Sequence, residues 1–373
     1  MCRSFFPRIC SIIPLVLTLI FLCPSCARGT VPARSETFRS GVAENAGAVS
    51  TGATGSASGT DQAVSPQKAI RRNGDITIVL VPKSLDNSIF LDAKEESERV
   101  GRELGIRVEW QGPMHADANG QVNIVESLIR RGVNGIVVNC LDADKMKPVI
   151  DKALAAGIKV ATFDSDSPDS GRLFYCGTDN AAAGAACCNA MIRVLQEKNR
   201  LGGKVRLLVM TADEGSYNLN ERLRSFQDTA KSKGVDLEVV DTLYCRNDVN
   251  LAGEMLEIYM RTGKEFDVFF STGGWPLMGS YEALPRFQRW CRSGGTSIVM
   301  DTYYSILYAA KNGLADALVG QDFHKMGELS IRALYRAIKG EAVPHTFIDT
   351  GLELGTKDNF GKLLQGKEQW ETP

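Results

Sequence analysis

The run "ITIVLV" (76–81) carries no polar alternation, which is the mark of a strand in a sheet covered on both faces. Short runs of this kind alternate with longer amphipathic ones through the rest of the chain. A helix follows the first strand, with Phe90, Ala93, Val100 and Leu104 on one stripe. "IRVEW" (106–110), "GIVVN" (135–139) and "IKVATF" (158–163) read as strands. Between them, "GQVNIVESLIRRG" (120–132), ended by Gly132, and "ADKMKPVIDKALAAG" (143–157) read as helices. After "TDNAAAG" the rhythm restarts, with strands at 204–210, 236–244, 266–271, 296–301 and 315–321. Helices are expected at about 216–233, 248–262, 276–292 and 302–312. A last helix (325–340) precedes the tail "PHTFIDTGLELGTKDN" (344–359). Each strand–helix–strand step demands a right-handed crossover, so each half should be a doubly wound parallel sheet. The fold class is α/β, with two Rossmann-like domains repeated in architecture and not in sequence.

The first residues, "MCRSFFPRICSIIPLVLTLIFLCPSC", join basic Arg3 and Arg8 to an apolar stretch (12–23) and then small residues. That is the three-part pattern of an export signal, and Pro14 with the short length argues against a spanning helix. The Cys26 context resembles a bacterial lipoprotein signal, in which that Cys is acylated; Leu22 stands four residues before it and Pro24 intervenes. Residues 27–74 are rich in Gly, Ala, Ser and Thr and have no apolar periodicity, so they read as a flexible tether. About 47 such residues have a root-mean-square span of roughly 35–40 Å, enough to hold a folded body near a membrane. Export to the periplasm or cell envelope is the expected location.

From Asp75 about 300 residues remain, which suits two domains better than one core. The chain carries 43 basic and 44 acidic side chains; losing Arg3 and Arg8 with the signal leaves 41 against 44. No basic block stands out, so nucleic acid is not an expected partner. Cys140, Cys176, Cys187, Cys188, Cys245 and Cys291 show no paired spacing and read as isolated buried thiols. His115, His324 and His345 are scattered without Cys or carboxylates at ligand spacing, so neither a metal site nor a cofactor is expected.

Ligands of open parallel sheets bind beyond the carboxyl ends of the strands. The first strand delivers Lys83, Asp86, Asn87 and Phe90 there, the third Asn139, and the fourth Asp164, Ser165 and Asp166. In the second half the ends are "TADEGSYNLNER", "CRNDVN", "STGGWP", "MDTYY" and "GQDFHKMG". Carboxylates accept two hydroxyl donors, Lys and Arg donate, and Asn or Gln does either. An aromatic face covers the C–H side of a sugar ring. Capping of the next turn or helix is the competing role for Asp164, Asp166 and Asp301.

The ordered set "GQVNIVESLIRRGVNGIVVN", "GIKVATFDSD", "GTDNAAAG", "GSYNLNERLRSF", "SIVMDT" and "ALVGQDFHKMGE" is similar to the ribose-binding-like family. These are type I periplasmic binding proteins that serve sugar ABC transporters. The resemblance spans Asp75 to about Asn359. It implies two lobes, 75–177 with 322–347 and 178–321 with 348–373, joined by three crossings near Gly177–Asp179, Gly320–Asp322 and Phe347–Asp349. It also implies ligand contacts from Asn87, Phe90, Asn139, Asp164, Arg222, Asp301 and Gln321. Departures are Ile89 where relatives often have an aromatic, Ser165 where ribose binders have Arg, and Gly273-Gly274-Trp275 in place of an Asn-Asp pair. Trp275 then supplies a stacking face. "VPKS", "GPMHADANGQVNIVESLI" and "FDSDSPD" also resemble the autoinducer-2-binding branch, which implies a donor role for Lys83.

The expected function is therefore capture of a sugar or polyol by a monomer that hands it to an ABC transporter permease, or, as the alternative, to a signalling receptor. A nucleotide-dependent oxidoreductase would need a Gly-rich turn after the first strand, and "VPKSLDN" stands there instead. No Ser-His-Asp or Cys-His order supports an enzyme. The export signal and the missing helix-turn-helix argue against a LacI-type repressor.

Overall fold

The structure, a computed structural model, describes residues 76–343 and 345–367. The expected signal (1–26) and tether (27–74) lie outside the described residues.

The chain runs β1 (Thr77–Val81), α1 (Leu91–Leu104), β2 (Arg107–Trp110), α2 (Ala118–Arg131), β3 (Gly135–Val138), α3 (Ala143–Ala155), β4 (Lys159–Phe163) and β5 (Tyr175–Gly177). It continues with α4 (Asn180–Glu197), β6 (Val205–Thr211), α5 (Tyr217–Ser232), β7 (Leu237–Tyr244), α6 (Val249–Arg261), β8 (Val268–Ser271), α7 (Trp275–Met278) and α8 (Pro285–Arg292). Last come β9 (Thr296–Met300), α9 (Tyr304–Lys311), β10 (Ala317–Gly320), α10 (Phe323–Ile338), β11 (Phe347–Asp349), β12 (Glu353–Thr356) and α11 (Phe360–Gln365).

Two six-stranded sheets result, ordered β2-β1-β3-β4-β5-β11 and β7-β6-β8-β9-β10-β12. Every neighbouring pair is parallel except β10 with β12. Ile78, Val79, Leu80 and Val81 are all fully buried, as a strand covered on both faces requires. In both sheets the order reverses beside the first strand, which opens a crevice at the carboxyl edge.

Capping explains where the helices begin. Asp117, Asp142, Asp179, Asp248 and Asp322 each accept a hydrogen bond from a backbone N–H in the first turn of α2, α3, α4, α6 and α10. Gly132 ends α2 with φ of 69°, a left-handed geometry that costs glycine nothing.

Three expectations change. The helix expected over 276–292 is broken into α7 and α8, because Gly279 is extended and Pro285 starts a new helix where its missing N–H does no harm. The short apolar run before "TDN" is a strand, β5, and the tail supplies β11 and β12. The chain passes between sheets at Thr178–Asp179, Gln321–Asp322 and Thr350–Leu352. The third passage is later than expected because β11 stays paired with β5 through Asp349.

Candidate functional site

Residues following β1, β4, β6, β7, β8, β9 and β10 converge on a cavity between the carboxyl edges of the two sheets. Its free space is about 30 Å³. Lys83, Asn87, Phe90 and Asp164 line it from the first lobe, and Arg222, Trp275, Asp301 and Gln321 from the second lobe and its hinge. Eight of the eleven expected residues are thus brought together.

The other three are placed elsewhere. Asn139 is fully buried behind the cavity, where its Nδ2 donates to Asp164 Oδ2 at 2.9 Å and so orients that carboxylate. Ser165 turns into the core. Asp166 takes hydrogen bonds from Thr162 Oγ1 at 2.6 Å and from the Ser167 N–H, and is clamped by the Arg172 guanidinium. It fastens the β4–β5 loop. Neither Ser165 nor Asp166 reaches the cavity. The turn explains the difference: Asp164 stands at it, and its two successors fold back over the strand.

That turn is tight. The Ser165 N–H donates to Phe163 O at 2.6 Å, which leaves Asp164 with φ of 55°. Asp301 has φ of 78° and Asn247, which also lines the cavity, 61°. Left-handed backbone at non-glycine residues costs about 1–3 kcal/mol where no compensation exists. Neither cavity carboxylate caps a helix, so capping is not what holds them. Asp301 Oδ2 accepts from the Gly274 N–H at 2.9 Å and Oδ1 from Gln321 Nε2 at 2.7 Å.

Arg222 is 2% exposed and donates in three directions. Nε reaches Asn180 Oδ1 at 2.8 Å, one terminal nitrogen the Thr272 carbonyl at 2.9 Å, and the other Gln321 Oε1 at 2.5 Å. It therefore ties the first and second hinge passages to the floor of the cleft. Lys83 is buried as well, and its Nζ donates to Asn218 Oδ1 at 3.1 Å across the cleft. Burial pushes this ammonium down from the ordinary lysine range, against the pull of Asp164 and Asp213. Burial pushes the Asp301 carboxyl up, against Arg222 and the Gln321 hydrogen bond.

The apolar side comes from Ile89, Phe90, Trp275, Met278 and Phe323. A Cβ on Gly273 would lie 2.5 Å from the Trp275 ring, so this glycine is what lets the indole fold over the loop. The departure at 273–275 is thus one unit: a polar pair is absent and an aromatic wall stands in its place. Phe90 meets Phe323 edge-on at 5.8 Å.

The lobes touch. Besides Lys83–Asn218, Tyr303 Oη donates to Ser88 O at 2.8 Å, Ser216 Oγ to Leu141 O at 3.0 Å, and the Ala143 N–H to Gly215 O at 3.3 Å. This is a closed arrangement.

Asn218 and Asn247 were not singled out from the sequence, although Asn218 stands four residues before Arg222 and hence on the same helical face. Gln121 was also overlooked. Fully buried, it donates to the Pro82 and Asn139 carbonyls and accepts from the Leu141 N–H, which locks the ends of β1 and β3 together. A Gln on the apolar stripe of α2 is the signal for it. Among the described residues, no group of three or more His, Cys, Asp or Glu could hold a metal ion, and the six cysteines are free.

Comparison with known proteins agrees with this geometry. Residues 78–342 match the family model described as a periplasmic binding protein domain. The ribose import binding protein RbsB of Bacillus subtilis (strain 168) is 23% identical over 286 residues, covering 76% of this chain and 88% of that protein. The xylitol-binding protein of Mycolicibacterium smegmatis is 26% identical over 282 residues, 74% of each chain. Among solved structures, an ABC transporter solute binding protein from Burkholderia graminis in complex with D-arabinose is 27% identical. It superimposes with a TM-score of 0.71 over 78% of this chain and 98% of its own. Two parallel-sheet lobes closed over a polar cavity, and a family match spanning both, lead to one conclusion: the chain belongs to the periplasmic binding protein family.

Proposed function

We propose that the protein is the substrate-binding component of a sugar ABC transporter. It closes on one neutral monosaccharide or polyol of similar size and delivers it unaltered to a membrane permease from the outer side of the cytoplasmic membrane. The observation that carries this reading is the cavity itself. Its charged lining is balanced, Lys83 and Arg222 against Asp164 and Asp301, which suits a neutral guest. Donors and acceptors from both lobes face Phe90, Trp275 and Phe323, so hydroxyls and a C–H face can be met together. Relatives named for ribose and xylitol, and a neighbour holding D-arabinose, support the same class.

Closure follows from differential contact: a ligand bridging both lobes favours the closed form by as much as it prefers it. Periplasmic binding proteins are a standard example of such hinge closure.

Thermal unfolding against pentoses, hexoses and polyols tests the reading. At about 100 times Kd a ligand adds roughly 2.7 kcal/mol, a rise in midpoint of several degrees. Asp164→Ala should abolish that rise. A variant that responds like wild type would refute the site, and a response to none of the sugars or polyols would refute the function.

A further inference from the structure

The two cavity carboxylates, Asp164 and Asp301, belong to different lobes, yet a continuous path of buried hydrogen bonds runs between them. It begins at Tyr175 in β5, a buried residue that does not line the cavity. Its hydroxyl lies 2.9 Å from the Asp164 carbonyl oxygen and 3.0 Å from that of Thr178. A hydroxyl has one proton to donate. Thr178 O already accepts from Asn180 Nδ2 at 3.1 Å, so the Tyr175 proton goes to Asp164.

Asn180 Nδ2 also donates to Tyr175 Oη at 3.1 Å, and its Oδ1 accepts from Arg222 Nε at 2.8 Å. Arg222 reaches Gln321 Oε1 at 2.5 Å, and Gln321 Nε2 donates to Asp301 Oδ1 at 2.7 Å. Donors meet acceptors at every step, and both amides use both of their ends.

Tyr175 also stands where the three hinge passages meet. Its hydroxyl touches the first at Thr178, and its ring stacks on Phe347 of β11 at 5.5 Å and 7°, ahead of the third. The Thr350 N–H, in the third passage, donates to Gly177 O at 3.0 Å. A Cβ on Gly177 would lie 2.4 Å from Tyr175 Oη, so glycine here makes room for the hydroxyl. Burial holds this phenol well above its ordinary value, which keeps it a donor.

A phenylalanine would supply the same stacking ring; the hydroxyl serves only the polar path. Asp164 needs such support, because its φ of 55° is strained for a residue with a side chain. Asn139 holds its carboxylate and Tyr175 its carbonyl, so the turn is gripped at both ends. We propose that Tyr175 is a positioning residue for sugar or polyol recognition. Its hydroxyl fixes the turn at Asp164 and, through Asn180, Arg222 and Gln321, sets that acid against Asp301 on the other lobe. This rests on the proposed function and adds to it a residue outside the cavity that governs which hydroxyls are read.

Calorimetric titration of the full chain with D-ribose, D-arabinose and xylitol, and with each monodeoxy form of whichever binds, tests the proposal. In wild type, removing a hydroxyl that a carboxylate receives should weaken binding about ten- to hundredfold. Asp164→Asn and Asp301→Asn identify the hydroxyl that each acid reads, because the penalty for that hydroxyl shrinks. Tyr175→Phe should weaken the parent ligand about five- to tenfold and shrink both of those penalties, leaving the others at their wild-type values. Asn180→Ala should shrink only the penalty at the hydroxyl read by Asp301. Unfolding midpoints without ligand show that both variants fold. A lowered midpoint with every deoxy penalty unchanged is the result of a purely structural role and overturns the proposal while the proposed function stands. Shrinkage at the Asp164 hydroxyl alone overturns the link to Asp301, and binding of no probe by wild type overturns both readings.

Discussion

Replacing Arg222 with Ala should cost the folded protein about 3–5 kcal/mol. Three charge-assisted hydrogen bonds end on this guanidinium, at Asn180 Oδ1, Thr272 O and Gln321 Oε1. Each is worth about 1.5–3 kcal/mol, but they share one side chain and cannot simply be added. The loss of one member of a buried charged network typically costs about 3–5 kcal/mol, because the partners stay buried without their donor. For a body of this size each kcal/mol lowers the midpoint by about 2 °C, so a fall of about 6–10 °C is expected in thermal unfolding at neutral pH. The deficit should depend on pH in a stated direction. Burial already raises the Asp301 carboxyl, and the Arg222 guanidinium opposes that rise most strongly. Without Arg222 the carboxyl moves further up. A carboxyl whose folded value is raised stabilises the fold in acid and loses that contribution as pH rises through the folded value. The penalty should therefore shrink as pH falls toward the ordinary carboxylate range. Arg222→Lys should recover little, since one ammonium cannot reach three acceptors held by a planar fork. A loss below about 1 kcal/mol for Arg222→Ala, or full recovery by Lys, would refute this account of the hinge.

Two further outcomes follow from the same geometry. Lys83 is buried in this closed arrangement, and burial depresses its ammonium below the ordinary value of 10.5; opening the cleft is expected to return it to water. The open form then holds more protons, so ligand affinity should rise with pH toward that value; isothermal titrations across alkaline pH should show a slope that Lys83→Met removes. Gly184→Ala would place a Cβ 2.2 Å from the Arg222 carbonyl oxygen and force α4 away from α5. The expected cost is about 1–3 kcal/mol in urea unfolding, with weaker ligand binding because α5 carries both Asn218 and Arg222.

Much of this was legible in sequence because strand and helix periods differ, and because parallel sheets place their chemistry at strand ends. What failed was finer. Three consecutive polar residues, Asp164, Ser165 and Asp166, look equivalent in a string; only the turn at Asp164 decides which one faces the cleft. The fate of Asp166 depends on Arg172, six residues on, whose guanidinium arrives only when the β4–β5 loop folds. β5, at three residues, is too short to show a period, and β11 is a strand only because β5 is there to pair with it. Asn139 illustrates the opposite difficulty. Its position at the end of β3 is legible in the sequence, but its one side-chain bond runs to a carboxylate and not into the cavity.

The acids at strand ends sort by backbone. Asp179, Asp248 and Asp322 stand directly before a helix, with negative φ, and spend their oxygens on its first turn. Asp164 and Asp301 have positive φ, and no helix N–H claims them. A fold that needed only caps would have no reason to keep two strained carboxylates, each destabilising by about 1–3 kcal/mol unless its surroundings compensate. Their neighbours do hold them, Asn139 for one, Gly274 and Gln321 for the other, yet each points into a space that those neighbours do not fill. Acceptors fixed in advance lose little on binding, so strain carried in the empty protein reappears as affinity when hydroxyl donors arrive.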